Sequence, residues 1–256
     1  MQLRTALIQT DICWGDRQAN LAAAERRLRT LEETDLALLP EMFATGFMTG
    51  DVSAAEPMTG ETVGWMRRMA CETGMAVAGS VIVRDGERVC NRFVLAEADG
   101  SLAWYDKRHL FSFGGEDRLY APGRERRVIG CRGVRLLPQI CYDLRFPIWS
   151  RNRNDYDAIL YVASWPAGRM AAWDILLPAR AVENQAYVLG VNRVGTDPTA
   201  RYDGHTAAFD FLGRPLGRVP DGREGVVRVT IDTEALAAFR DRFRAWADAD
   251  DFELLR

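Results

Sequence analysis

An apolar run leads directly into a turn in the stretch Leu136-Leu137-Pro138-Gln139-Ile140-Cys141-Tyr142-Asp143-Leu144-Arg145-Phe146-Pro147. The run begins at Val134 and predicts a buried strand that ends at Ile140. A second apolar run, Ala158–Ala163, follows a predicted short helix at roughly Ile148–Arg153. Buried strands that alternate with helices are typical of α/β proteins. The stretch therefore favours an α/β fold and puts Cys141 at the end of a strand.

Strand and helix periods alternate along the rest of the chain. Apolar alternation predicts strands at Leu3–Gln9, Leu36–Leu39, Met75–Val83, Val89–Ala96, Ser101–Tyr105, Ala186–Val191, Thr206–Phe211, Arg214–Val219 and Gly225–Ile231. The 3.6-residue period predicts helices at Asn20–Glu32, Glu61–Glu72, Met170–Asn184 and Glu234–Trp246, the last capped by Thr233. Pro178 interrupts one of these patterns, so that helix either begins there or is kinked.

The predicted strands are too many for one open sheet covered on both faces. Two sheets packed together, with helices outside, would accommodate them. The sequence has no linker, repeat or low-complexity segment. We therefore predict one domain over residues 1–256, with a core at about 3–231 and a C-terminal helix and tail at 232–256.

Composition excludes several classes of function. A chain of 256 residues with 48 % hydrophobic and 27 % charged residues is an ordinary globular protein. The net charge of −3 argues against nucleic-acid binding, and no apolar run is long enough to cross a membrane. Five cysteines without a C-x-x-C pair, with only two histidines, argue against a zinc site. Together with the missing signal pattern, they favour a reducing cytoplasmic location and no metal.

Two charged residues follow predicted strands. Glu41 comes directly after Leu36–Leu39 and Pro40, in an apolar setting that would raise its pKa and suit it to carry protons. Lys107 is the single lysine among 33 basic residues, and it also follows a strand. An ammonium can point one N–H at a developing oxyanion, whereas the wide guanidinium fork of arginine cannot. Either residue can also be read as an ordinary surface charge.

Cys141 is the third residue at a strand end. A thiol there lies beside the N–H groups of the following turn, which favours the thiolate. Glu41, Lys107 and Cys141 together can perform acyl transfer: the thiol attacks a carbonyl, Glu41 moves the proton, and Lys107 with a backbone N–H near Tyr142 holds the oxyanion. The alternative catalytic arrangement is a Cys141–His109 dyad. The alternative without a catalytic role is that Cys141 is a small cysteine buried in the core.

The three motifs resemble those of the nitrilase (carbon–nitrogen hydrolase) superfamily, whose catalytic residues are Glu, Lys and Cys. They are Leu38–Phe43, Tyr105–Phe111 and Ile140–Pro147, in the family's order, and the similarity runs from about Leu3 to near Ile231. Tyr161–Pro166 and Arg180–Tyr187 are further similar to the omega-amidase branch. Within the second of these, Arg180 and Glu183 are spaced for an i, i+3 pair on a helix and are expected to support the site.

The resemblance implies a four-layer αββα sandwich that pairs through its outer helices into a homodimer or higher homo-oligomer. It also implies a second glutamate after the lysine motif. That residue is Glu116, with Asp117 as its neighbour in case the assignment slips by one. The implied activity needs no cofactor and hydrolyses the terminal amide of 2-oxoglutaramate or 2-oxosuccinamate. The products are ammonia and a 2-oxo dicarboxylate.

Four residues are candidates for binding this small-molecule amide. Arg145, four residues after the nucleophile, could clamp the substrate carboxylate, or instead pair structurally with Asp143 or Asp155. The other three are Tyr142, Trp165 and Phe43, of which the last two could equally be core aromatics. Rival functions are an amidase of the same fold acting on deaminated glutathione, an N-carbamoyl amine or an aliphatic amide, and a catalytically idle binding protein.

Overall fold

The computed structural model describes residues 1–253. Its strands are β1 Gln2–Gln9, β2 Leu36–Leu38, β3 Ala76–Asp85, β4 Arg88–Ala96, β5 Leu102–Asp106, β6 Ile129–Cys131, β7 Val134–Ile140, β8 Ala158–Ala163, β9 Tyr187–Asn192, β10 Val194–Thr196, β11 Arg201–Asp203, β12 Ala207–Phe209, β13 Pro215–Arg218 and β14 Gly225–Asp232. Its α-helices are α1 Arg17–Leu28, α2 Glu61–Thr73, α3 Pro147–Ser150, α4 Met170–Asn184 and α5 Thr233–Arg242.

Twelve of these strands form two six-stranded sheets. The first has the order β14-β1-β2-β3-β4-β5 and the second β13-β12-β9-β8-β7-β6. The remaining strands, β10 and β11, form a separate hairpin. In the first sheet β14 pairs antiparallel with β1, so that Ile231 lies opposite Leu3. Both ends of the predicted core therefore meet in one sheet.

The two sheets pack face to face with helices on the outside. Leu7 and Leu38 belong to the apolar cluster shared with the second sheet, while their neighbours Ile8 and Ala37 pack with α1 and α2. On the other side α4 covers the second sheet so closely that a Cβ at Gly190 would lie 2.6 Å from Leu177. This alternation gives the order helix, sheet, sheet, helix. The predicted layered α/β sandwich is confirmed.

Most predicted elements are present, with shifts at their ends. Strands β7 and β8 and helix α4 have the predicted bounds. Helix α1 begins earlier than predicted because the Asp16 carboxylate accepts from the Ala19 N–H at 3.0 Å and caps it. Helix α5 is capped by Asp232 rather than Thr233 and ends before Trp246. Strands β6, β10 and β11, of three residues each, were not predicted. Residues 254–256 of the predicted tail lie outside the described residues.

Helix α4 runs through Pro178 without a break. Proline in a helix interior removes one backbone hydrogen bond, at a cost of about 3 kcal/mol. Arg180 and Glu183 lie after Pro178 on the same helix and pair as predicted: Arg180 Nη1 donates to Glu183 Oε1 at 2.9 Å. The helix therefore neither begins nor loses its pairing at the proline.

Strand direction brings the candidate residues together. Strands β1, β2 and β3 run parallel, as do β7, β8 and β9. Because carboxyl ends of parallel strands meet at one edge of a sheet, the turns after β2, β7 and β8 lie at the same end of the sandwich. Strand β5, which precedes Lys107, reaches that end as well, since it is two antiparallel pairings away from β3.

Candidate active site

Glu41 lies fully buried between the two sheets, just after β2. Its Oε1 accepts from the Lys107 ammonium at 2.8 Å and from the Asn91 side-chain amide at 2.8 Å. Its Oε2 accepts from the backbone N–H of Ser164 at 2.8 Å. Both carboxylate oxygens are therefore held in fixed directions by donors from both sheets.

Lys107 is held between two carboxylates. Its Nζ lies 2.8 Å from Glu41 Oε1 and 2.8 Å from Glu116 Oε2, and all three side chains are inaccessible to solvent. Burial lowers the pKa of Lys107, but the charges of Glu116 and Glu41 outweigh it and raise the pKa above the usual range. The ammonium therefore stays charged inside the protein. The one lysine of the chain stands at a position where its charge is paired on two sides.

Glu116 is the acidic residue that reaches the lysine, and Asp117 is exposed. Besides the Lys107 ammonium, its carboxylate accepts from the Phe111 N–H at 2.6 Å. Burial raises the pKa of Glu116, and the Glu41 charge adds to this against the lowering effect of Lys107. The turn that follows packs tightly on the lysine strand. A Cβ at Gly123 would come within 2.0 Å of the Asp106 carbonyl oxygen, so only glycine fits there.

Cys141 follows β7 with a left-handed backbone, φ +45°. Non-glycine residues rarely adopt this conformation, and it persists where the surrounding structure enforces it. The thiol lies close enough to Glu41 for the charge of that carboxylate to act on it. Burial, and then the Glu41 charge, raise the pKa of the Cys141 thiol well above its usual value, although Lys107 opposes this. The prediction that the strand-end position favours the thiolate is therefore wrong: the free protein holds a neutral thiol beside a base.

His109 is engaged away from the thiol. Its Nδ1 lies 2.8 Å from Asp143 Oδ1, and its ring stacks on Phe146 with centroids 3.9 Å apart. Asp143 also accepts from the Ile140 N–H and the Tyr105 hydroxyl, so it connects the turn after Cys141 to the strand that precedes Lys107. The structure thus gives Cys141 a glutamate partner in place of the alternative His109 dyad.

Asn91 completes the buried network, and sequence reasoning missed it. Its amide group donates to Glu41 and also to Glu116 Oε1 at 3.0 Å. Its own oxygen accepts from the Ser80 hydroxyl at 2.8 Å. Asn91 lies in the middle of β4, where no local pattern distinguishes it from a strand residue facing the core. Ser164 was missed too, although it directly follows β8 and the position after a strand could have identified it.

A cavity of about 200 Å³ opens onto the thiol. It is lined by Phe47, Thr49, Phe111, Phe113, Gly114, Cys141, Tyr142, Arg145, Ser164, Trp165, Pro166, Arg169, Thr199, Ala200 and Tyr202. Three of the four predicted binding residues, Tyr142, Arg145 and Trp165, are among them. The volume suits a small molecule rather than a polymer.

Phe43 is not in the lining, which corrects the prediction that it walls the pocket. Its side chain is 2 % exposed and packs against Trp65 of α2, with ring centroids 5.8 Å apart. The left-handed backbone of Met42, φ +47°, turns the chain just after Glu41. Phe47 lines the pocket instead, and its ring centroid lies 5.2 Å from the Lys107 Nζ.

Arg145 lies over the ring of Trp165, with its guanidinium carbon 5.1 Å from the ring centroid. Asp143 and Asp155, its alternative structural partners, bind elsewhere: Asp143 binds Tyr105 and His109, and Asp155 binds Arg126. Within residues 1–253 no carboxylate pairs with Arg145. Its charge is therefore available to the pocket.

Arg180 supports the turn after Cys141, as the sequence suggested. Its Nε and Nη2 donate to the Leu144 carbonyl at 3.1 and 2.7 Å, and Glu183 holds the other side of the guanidinium. This fixes the backbone three residues after Cys141.

The described residues contain neither a metal-binding cluster nor a membrane-spanning helix. Residues 1–253 contain no cluster of three or more histidine, cysteine, aspartate or glutamate side chains able to hold a metal ion. None of their helices is long and apolar enough to span a membrane.

The arrangement brings a carboxylate, an ammonium and a thiol together at one point. A carboxylate that binds an ammonium and lies beside a thiol can take the thiol proton while the ammonium stabilises a new negative charge nearby. These are the requirements of attack on a carbonyl carbon, as opposed to redox or phosphoryl chemistry.

Comparison with known proteins agrees with this chemistry. The omega-amidase YafV of Yersinia enterocolitica is 44 % identical over 99 % of both chains, and the 2-oxoglutaramate amidase of Bacillus subtilis is 33 % identical over 97 % of this chain and 98 % of its own. The crystal structure of a CN-hydrolase superfamily protein from Xanthomonas campestris, with an arsenic adduct in its active site, is 44 % identical and superimposes with a TM-score of 0.96 over 99 % of both chains. The model of the carbon–nitrogen hydrolase family matches residues 4–241. The chain belongs to the carbon–nitrogen hydrolase family, and it is a hydrolase of non-peptide carbon–nitrogen bonds.

Proposed function

We propose that the protein hydrolyses the terminal amide of a 2-oxo dicarboxylic acid monoamide, 2-oxoglutaramate or 2-oxosuccinamate. One observation carries the proposal: the Glu41 carboxylate binds the Lys107 ammonium and lies beside the Cys141 thiol, which opens into a small pocket. The names of the Yersinia and Bacillus relatives support the choice of substrate.

In this mechanism the Cys141 sulfur attacks the amide carbon as Glu41 takes the thiol proton. Lys107 and the backbone N–H of Tyr142 hold the oxyanion, while Glu116 keeps Lys107 charged and oriented. Glu41 gives the proton to the leaving nitrogen, and ammonia departs. Water then resolves the thioester with Glu41 as base, which releases the 2-oxo dicarboxylate and restores the thiol.

The test is ammonia release from 2-oxoglutaramate, with glutamine, asparagine and a simple aliphatic amide alongside. Selective turnover of the 2-oxo acid amide is the expected result. Turnover of the aliphatic amide alone would make another amidase activity of this fold the function. No turnover of any amide, with Cys141 resistant to alkylation, would favour an idle binding protein.

Arg145→Gln should weaken binding of the substrate carboxylate. We expect KM for 2-oxoglutaramate to rise by roughly tenfold to a hundredfold, the loss of one charge-assisted hydrogen-bonded pair, with a smaller change in kcat. Steady-state kinetics check this, with the aliphatic amide as the control substrate that has no carboxylate to lose. An equal loss on both substrates would assign Arg145 a structural role.

Asn91→Ala should remove one hydrogen bond from each of the two carboxylates that bind Lys107. Because Asn91 bridges Glu41 and Glu116, we expect kcat to fall by about tenfold to a hundredfold and the free energy of unfolding to fall by about 1–3 kcal/mol. Ser80→Ala is the matched control, since Ser80 touches Asn91 and neither carboxylate. Kinetics and chemical denaturation measure the two effects, and an unchanged kcat would remove Asn91 from the site.

We also propose, from the family resemblance, that the protein is a homo-oligomer located in the cytoplasm and needs no cofactor. These stay predictions. Size-exclusion chromatography with light scattering tests the first of them.

A further inference from the structure

A second arginine lines the same pocket. Arg169 was not among the sequence candidates, yet its side chain and that of Arg145 are the only charged groups in the described lining. No aspartate or glutamate lines the cavity to neutralise them. Glu41 lies outside the lining and is paired with Lys107. The entrance to the thiol is therefore a region of positive charge.

Aromatic contacts fix the Arg169 guanidinium at this place. Its central carbon lies 5.0 Å from the ring centroid of Phe111 and 5.0 Å from that of Phe113. The Phe111 ring also packs against Tyr142, with ring centroids 5.1 Å apart, and the Phe111 backbone N–H donates to the Glu116 carboxylate. Trp165 connects the two arginines: its indole N–H donates to the Arg169 carbonyl at 2.9 Å, and Arg145 lies over its ring.

Neither guanidinium has an ion-pair partner within residues 1–253. Contact with ring faces leaves the N–H edges of a guanidinium open to an acceptor. A preformed pair of such edges costs little to organise when an anion binds. The carboxylate of the substrate requires one cation, whereas the cavity presents two that have no anionic partner. Arg169 is therefore expected to have a second task.

That task follows from what the substrate carries next to its carboxylate. A 2-oxo acid presents carboxylate and ketone oxygens side by side, and all of them accept hydrogen bonds. An amino acid amide such as glutamine has an ammonium group in place of the ketone. Two arginines would accept the first group and repel the second.

We propose that Arg169 is a specificity-determining residue that binds the 2-oxo acid end of the substrate with Arg145 and excludes amides with an α-ammonium group. The proposal rests on the proposed function, since it names the part of that substrate which the pocket selects.

The test compares Arg169→Gln, Arg169→Lys and wild type on 2-oxoglutaramate, glutamine and a simple aliphatic amide. In Arg169→Gln we expect kcat/KM for 2-oxoglutaramate to fall by about tenfold to a hundredfold, mainly through KM. The preference for 2-oxoglutaramate over glutamine should narrow, and kcat/KM for the aliphatic amide, which has no carboxylate, should fall by a smaller factor. Arg169→Lys should restore part of the preference because it restores the charge. Arg214→Gln, at an exposed position outside the pocket, is the matched control.

An equal loss on all three amides would overturn the proposal, because a structural role would affect them alike. An unchanged preference over glutamine would overturn it as well.

A binding measurement separates this proposal from the proposed function. If wild type does not hydrolyse 2-oxoglutaramate, the proposed function fails on that result alone. Calorimetry of Cys141→Ala with 2-oxoglutarate and with glutamate then decides the role of Arg169 without turnover. We expect tighter binding of 2-oxoglutarate, and loss of that preference in Cys141→Ala/Arg169→Gln. The same preference for 2-oxoglutarate over glutamate in Cys141→Ala and in Cys141→Ala/Arg169→Gln would contradict the role of Arg169.

Discussion

Cys141→Ala is expected to lose turnover by at least about 10⁴-fold, the size of effect seen when an enzyme loses its nucleophile. Without the sulfur no thioester forms, and Glu41 has no thiol to deprotonate. The fold should survive, because the substitution removes one atom and keeps a Cβ on the left-handed backbone. We expect the free energy of unfolding to change on the order of 1 kcal/mol. Ammonia release and chemical denaturation measure the two quantities.

The matched control is Cys131→Ala. Cys131 is a buried cysteine on β6, away from Glu41 and Lys107, so its loss should leave kcat near the wild-type value. Cys141→Ser tests the nucleophile further, because a hydroxyl is a far weaker acid than a thiol and should also be inactive. Full activity in Cys141→Ala would end the proposed mechanism.

Lys107→Arg is expected to lower kcat by about 10²–10³-fold, although it keeps the charge. The ammonium has no solvent-exposed surface and lies 2.8 Å from a carboxylate oxygen on each of two sides. A guanidinium is wider and cannot direct one N–H from the same point. Steady-state kinetics at saturating substrate measure the loss, and a wild-type rate would refute the oxyanion role.

Lys107→Met separates catalysis from stability. It leaves Glu41 and Glu116 buried without their cation, and removing one partner of a buried pair costs about 3–5 kcal/mol. Lys107→Met/Glu116→Gln removes one of the two carboxylates as well, so part of the free energy of unfolding should return while activity stays lost. If activity returned with stability, Lys107 would have a structural role alone.

Strand-end positions indicated three candidate site residues that the structure brings together. Glu41, Lys107 and Cys141 each follow an apolar run, and the ends of strands that run the same way meet at one edge. Composition also distinguishes Lys107, because it is the single lysine among 33 basic residues. Local sequence was sufficient there because position and residue type both depend on the neighbouring residues.

Residues whose role depends on distant contacts were not predictable in this way. Asn91 acts through the pairing of β3 with β4 and through the turn that carries Glu116, neither of which leaves a local pattern. Arg169 is one of many arginines until Phe111 and Phe113 are seen to enclose it. Asn91 and Arg169 were both identified from the folded chain.

Two predictions were wrong for the same reason. The neighbours of Cys141 in the sequence favour a thiolate, but burial and Glu41 from the other sheet raise the pKa of the thiol. Phe43 is close to Glu41 in sequence, but the left-handed Met42 directs the chain so that Phe43 packs under the first sheet with Trp65. In both cases contacts with residues distant in the sequence, Glu41 of the facing sheet for Cys141 and Trp65 of α2 for Phe43, outweigh the local sequence.

The central claim is a thioester between Cys141 and the acyl group of the substrate, and hydroxylamine tests it most directly. Because hydroxylamine also turns a ketone into an oxime, the substrate would be glutaramate, the monoamide without the 2-oxo group, and its turnover would be followed with increasing hydroxylamine, which competes with water for a thioester. The mechanism predicts that the hydroxamate of glutarate appears in proportion to hydroxylamine, and that acid-quenched protein carries the acyl group on the peptide of Cys141. Ammonia released at the full rate, with neither hydroxamate nor acylated Cys141, would contradict it.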